Sequence, residues 1–81
     1  MTTILGIKLT NRTKTAPIFQ QILSKYGCNI KSRIGLHDVK EGVCSPDGII
    51  LLEVIGDDRT ISDMLSELKS IEDIKLEKMI L

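Results

Sequence analysis

Residues 3–9 (Thr-Ile-Leu-Gly-Ile-Lys-Leu) alternate in polarity along an extended chain. Leu5, Ile7 and Leu9 fall on one side, and Ile4, Gly6 and Lys8 on the other. This predicts a first strand. Helix-start residues follow at Asn11-Arg12-Thr13, and Ala16, Phe19, Ile22, Leu23 and Tyr26 then recur at helical spacing. Pro17 fits such a helix if it sits at the edge of the first turn, and Gly27 is the expected left-handed stop. A second strand is predicted over 29–37, with Ile30, Ser32, Ile34 and Leu36 facing the core. Lys31, Arg33, Gly35 and His37 face the other way.

Asp38 to Asp47 is a polar linker ending in Ser45-Pro46-Asp47-Gly48, a β-turn signal. Residues 39–46 hold almost no apolar anchor and are expected to be the least ordered interior segment. Residues 48–55 (Gly-Ile-Ile-Leu-Leu-Glu-Val-Ile) form a nearly continuous apolar third strand. After the turn at 56–59, Thr60 and Asp63 have capping-box spacing. Ile61, Met64, Leu65, Leu68 and Ile71 then mark a second helix. The last strand starts at Ile74 and sets Ile74, Leu76, Lys78 and Ile80 against Lys75, Glu77, Met79 and Leu81.

The order strand, helix, strand, strand, helix, strand divides into two strand-helix-strand halves. Two such right-handed units interleave into one α+β domain over residues 1–81. It is a ferredoxin-like βαββαβ fold: a four-stranded antiparallel sheet, order 4-1-3-2, with both helices on one face. The third strand belongs in the centre because it is apolar on both sides. The core should include Leu5, Ile7, Phe19, Ile22, Leu23, Ile34, Leu52, Val54, Leu65 and Leu68.

With 81 residues the chain buries a modest core, and Phe19 and Tyr26 are its only aromatics. The formal net charge is zero, which argues against direct nucleic-acid binding or attraction to an anionic membrane. Residues 1–40 carry Lys8, Arg12, Lys14, Lys25, Lys31, Arg33 and Lys40 against the single acid Asp38. Residues 41–81 carry ten acids and four bases. The two halves can neutralise each other side by side in one chain, or between subunits. Two cysteines, no signal-like opening and no long apolar run predict a cytoplasmic protein with reduced thiols.

With both helices on one face, the open face of the sheet receives Ile49, Leu51, Glu53 and Ile55 from the third strand. Ile4, Gly6 and Lys8 join from the first, Lys31, Arg33, Gly35 and His37 from the second, and Met79 and Leu81 from the fourth. Aliphatic at its centre and charged at its rim, this surface predicts a homo-oligomer, dimer or tetramer. Arg33, Gly35 and His37 are the candidate ligand-binding residues.

Chemistry-bearing residues are few. His37 and Cys44 could be metal ligands, but a transition-metal site takes three or four converging donors, so a symmetry mate would have to contribute. Cys28 is expected to be a small core residue after the helix. Cys44, His37 and Asp38 are the residue types of nucleophilic catalysis, yet closeness in sequence does not give triad geometry. Asp57-Asp58 suits a helix dipole. There is no phosphate-cradling glycine run, no helix-turn-helix pattern and no set of stacking aromatics. No catalytic residue is assigned, no cofactor is specified, and the chain is expected not to be an enzyme.

Several segments carry a family likeness. They are Ile4-Leu5-Gly6-Ile7, Ile22-Leu23-Ser24-Lys25-Tyr26-Gly27, Ser32-Arg33-Ile34-Gly35-Leu36, and the aliphatic third strand with its following helix. From Ile4 to the C-terminus the chain resembles the small regulators of the iron-only hydrogenase system. These are stand-alone domains related in fold to ACT domains and to the C-terminal domain of the nickel-responsive repressor. The resemblance implies a non-enzymatic oligomeric regulatory domain with a small-molecule or metal ligand. The repressor relatives carry metal-binding His and Cys residues around the second and third strands, and here His37 and Cys44 occupy that neighbourhood. The alternative reading is thus a transition-metal sensor with His37 and Cys44 at a subunit interface. ACT domains bind small molecules near a glycine after the first strand, where this chain has Thr10-Asn11-Arg12.

Overall fold

The computed structural model describes residues 1–36, 39–40, 43–44 and 48–81, the side chains of residues 12–13, 39–40 and 43–44 excepted. Strand β1 (Thr3–Leu9) leads into helix α1 (Arg12–Lys25), a 3-10 turn (Gly27–Asn29) and strand β2 (Ile30–Leu36). Strand β3 (Gly48–Val54), helix α2 (Asp58–Lys69) and strand β4 (Ile74–Ile80) complete the second half. Between β2 and β3, Val39 pairs with Cys44 and Lys40 with Val43 in a short separate ladder. The sheet order is β2-β3-β1-β4, every neighbour antiparallel, which is the expected 4-1-3-2 ferredoxin-like arrangement. The expectation about residues 39–46 falls largely outside the described residues.

Strand alternation builds the core. Leu5, Ile7 and Leu9 of β1 and Leu52 and Val54 of β3 are buried beneath Phe19, Leu23 and Tyr26 of α1 and its end. Met64, Leu68 and Ile71 cover them from α2. Ile22 and Leu65 are half-buried against this cluster. Each buried Leu or Phe contributes roughly 1.5–3 kcal/mol relative to exposure, so this strand–helix interface is the main source of the fold's stability.

The faces of β2 differ from expectation. Ile30 pairs with Val54, but Ser32, not Lys31, pairs with Glu53, so the register shifts at Lys31. An extra residue in one strand inverts the faces beyond it. Arg33 and Gly35 therefore pair with Leu52 and Ile50 on the helix side. Ser32, Ile34 and Leu36 pair with Glu53, Leu51 and Ile49 on the open side. Ile34 is accordingly no core residue but 55% exposed.

The helix ends also depart from the sequence reading. Pro17 is the sixth residue of α1, beyond the first turn, where its missing N–H leaves one carbonyl of that turn without its intrahelical donor. Asn11 caps α1 through its backbone: its carbonyl accepts from Thr15 N at 2.9 Å and Thr15 Oγ1 at 2.8 Å. Gly27 is not a left-handed stop; the chain tightens into the 3-10 turn, whose Asn29 N–H donates to Tyr26 O at 2.8 Å. Helix α2 is capped by Asp57 rather than Thr60, its carboxylate accepting from Thr60 N at 2.7 Å. That bond holds the Asp57 carboxyl below its ordinary range, and Asp58 in the first turn adds dipole complement.

Candidate functional site

Because Arg33 and Gly35 turn toward the helices, they line a cleft between α1 and the β2–β3 edge. Its volume is about 180 Å³, and Leu9, Ala16, Phe19 and Ile50 form its apolar lining. Gly35 places no side chain in it, and a Cβ built there would meet nothing within 4 Å. Arg33 Nη1 donates to Gln20 Oε1 of α1 at 3.1 Å, so the guanidinium stands over one side of the cleft. The arrangement offers an apolar floor and one fixed cation beside it. Two of the three candidate ligand residues, Arg33 and Gly35, thus come together, on the face opposite to the one expected. His37 lies outside the described residues. Gln20 was missed from sequence because only the shift at Lys31 brings β2's Arg33 under α1.

The open face is the other feature. Pairing sets its side chains in rows across β2, β3, β1 and β4. The first row is Leu36, Ile49, Lys8 and Lys75, and the second is Ile34, Leu51, Gly6 and Glu77. The third is Ser32, Glu53, Ile4 and Met79. Beyond them Thr2 and Leu81 exchange backbone hydrogen bonds, both at 2.8 Å. An apolar band therefore runs diagonally from Leu36 and Ile34 through Leu51 and Ile4 to Met79 and Leu81. Leu36 is 50% and Met79 51% exposed. The inverted register makes this face more apolar than the sequence reading had it, exchanging Arg33 for Ile34 and Leu36. Leu36 and Ile49 belong to the band and also line the cleft.

The charged halves meet within the chain. Lys14–Glu72 at 3.5 Å, Lys25–Glu67 at 2.8 Å and Lys31–Glu53 at 3.8 Å each join a base of residues 1–40 to an acid of residues 41–81. Glu67 also accepts from the Tyr26 hydroxyl, linking the end of α1 to α2. The Lys25 and Tyr26 hydrogen bonds hold the Glu67 carboxyl below its ordinary range. The same contacts push Lys25 and Tyr26 up. This cluster ties the end of α1 to α2 and supplies none of the residues that line the cleft.

The metal alternative receives no support from placement. Neither the His37 nor the Cys44 side chain is among those described, and among the described residues no group of three His, Cys, Asp or Glu converges. Cys28 is exposed rather than packed in the core, because the 3-10 turn carries it outward. Among the described residues no helix is long and apolar enough to cross a membrane.

No protein-family model and no curated protein matches the chain. Solved structures do. An uncharacterized protein from Thermotoga maritima superposes with a TM-score of 0.81 at 24% identity, over 96% of this chain and 92% of that one. The fold is shared throughout. A formyltetrahydrofolate deformylase from Pseudomonas putida gives a TM-score of 0.61 at 14% identity over the whole chain, which spans only 29% of that enzyme. The de novo designed protein Foldit4 matches with a TM-score of 0.51 at 11% identity. These likenesses establish the ferredoxin-like architecture and carry no activity across.

Proposed function

We propose that this chain is a non-enzymatic regulatory domain that works as a homo-oligomer, covering its open sheet face with a second copy. The observation that carries this is the diagonal band of Leu36, Ile34, Ile49, Leu51, Ile4 and Met79 left outside the core. Side chains of this size forgo about 1.5–3 kcal/mol each when exposed, a large quantity beside the 5–15 kcal/mol stability of a typical domain. Two identical faces related by a two-fold axis cover both bands at once.

The ligand reading attaches to the cleft beside Arg33 and Gly35. Because Leu36 and Ile49 line the cleft and carry their side chains onto the open face, a small molecule in the cleft would contact the same two strand residues that the second copy covers. Ligand and association would then be linked, as a regulatory domain requires. The resemblance to the small regulators of the iron-only hydrogenase system supports the same role and suggests that system as its setting. The test is Leu51→Lys, which puts a charge at the centre of the band. It should leave the far-ultraviolet spectrum of the folded chain intact and convert the oligomer to monomer in sedimentation. A Leu51→Lys chain that remains oligomeric contradicts the proposal.

A further inference from the structure

The cleft between α1 and the β2–β3 edge leaves core-facing apolar surface uncovered. Ile50 pairs with the buried Ile7 on the helix side of the sheet, yet it is only half-buried. Its other cross-strand neighbour is Gly35, which sets no side chain beside it, and α1 offers the small Ala16 across the cleft. Apolar area left open in this way gains free energy when an apolar group covers it. Two polar side chains line the same space among the described residues, Arg33 and Gln20. Gln20 Oε1 accepts from Arg33 Nη1 at 3.1 Å. That bond occupies the amide's oxygen and leaves its N–H groups, with the remaining N–H groups of the guanidinium, to meet a ligand. No Asp or Glu stands among the described lining residues.

A ligand suited to these walls has an apolar body and a polar end that only accepts hydrogen bonds and carries negative charge. An ionised carboxylate is such a group, and its two oxygens match the planar fork of a guanidinium. One cation balances one negative charge, which favours a monoanion over a phosphate dianion. An ammonium group, that of an α-amino acid included, meets a guanidinium here and no carboxylate. Size limits the tail. The cleft holds about 180 Å³, and a cavity of about 150 Å³ lined by aliphatic and aromatic side chains accommodates benzene. A tail of about four to six carbons therefore fills the space.

Resting on the ligand reading of the cleft given above, we infer that it takes a short aliphatic monocarboxylate. The tail lies on Leu9, Phe19 and Ile50, and the carboxylate is held by Arg33 and Gln20. The experiment titrates the full chain with hexanoate, hexanamide and hexylamine at neutral pH and fixed ionic strength, following the backbone amide signals of Ala16 and Ile50 by NMR. Circular dichroism verifies folding, and sedimentation reads association separately. Hexanoate should bind at least about fivefold more tightly than hexanamide, and hexylamine more weakly than either. Arg33→Gln should abolish the preference of hexanoate over hexanamide. Gly35→Val sets a side chain into the cleft, where a Cβ meets nothing within 4 Å, and should weaken both ligands at least about tenfold. Gly35→Ala, with a smaller loss in the same direction, serves if the valine variant does not fold. Hexanamide binding as tightly as hexanoate, with both lost in Gly35→Val, overturns the carboxylate and leaves the cleft a ligand site. Hexanoate binding that neither Gly35 variant weakens lies elsewhere and overturns the assignment. No response to any of the three compounds overturns the carboxylate and the ligand reading together, whatever sedimentation shows of self-association.

Discussion

Gly56 closes the turn after β3 with φ of +134°, a backbone conformation that side-chain-bearing residues rarely adopt. A Cβ built there would also stand 2.5 Å from Asn29 Nδ2. That amide is not free to move without loss. Asn29 Nδ2 donates to Ile55 O at 2.9 Å while Ile55 N donates to Asn29 O at 2.8 Å, a two-bond clip joining the start of β2 to the end of β3. Gly56→Ala should therefore cost about 1–3 kcal/mol of backbone strain and about 1 kcal/mol for the displaced side-chain bond. The sum, roughly 2–4 kcal/mol, lowers the melting temperature by about 10 °C or more in a chain of this size. The assay is thermal and urea unfolding of variant and wild type at one protein concentration, since association adds to apparent stability. Asn29→Ala supplies the control. With the amide gone, Gly56→Ala should retain its strain and lose its collision, so the two substitutions together cost less than their sum. A loss below about 0.5 kcal/mol for Gly56→Ala would mean that position 56 carries neither the strain nor the collision.

Pro17→Ala restores an intrahelical donor at an exposed site in α1 and should stabilise the chain by about 1–3 kcal/mol in urea unfolding. Ile34→Ser should barely change the unfolding of the isolated chain yet weaken association in sedimentation, whereas a buried Ile34 would cost more than about 2 kcal/mol. The Glu67 carboxyl is held low by Lys25 and Tyr26, so its contribution is full above the ordinary carboxylate range and is lost as pH falls through the depressed folded value. Glu67→Gln should flatten the acid side of the stability–pH curve, measured by urea midpoints from about pH 6 to pH 3.

Most of the architecture was legible because polarity alternates cleanly where one face is buried. Leu5-Ile7-Leu9, Leu52-Val54 and Ile74-Leu76 all face as their spacing requires. The open face was legible for the same reason, from the split of Ile49 and Leu51 against Ile50 and Leu52. Strand β2 was misread beyond Lys31 because Lys-Ser-Arg carries no local mark of an added residue. The shift is visible only in the pairing of Ser32 and Arg33 with Glu53 and Leu52 across the strand pair, which is tertiary information. That one residue decided the candidate site, moving Arg33 and Gly35 beneath α1 and Ile34 out of the core. Gly27 and Thr60 fit common cap patterns, but the 3-10 turn and Asp57 satisfied the same backbone groups one to three residues away.

Sedimentation velocity and equilibrium of the wild-type chain over micromolar concentrations decide whether it self-associates. At least a dimer is expected throughout that range, because the Leu36–Met79 band needs a second copy to cover it. A single species sedimenting as the 9.0 kDa monomer would contradict it and return the band to ordinary exposed surface.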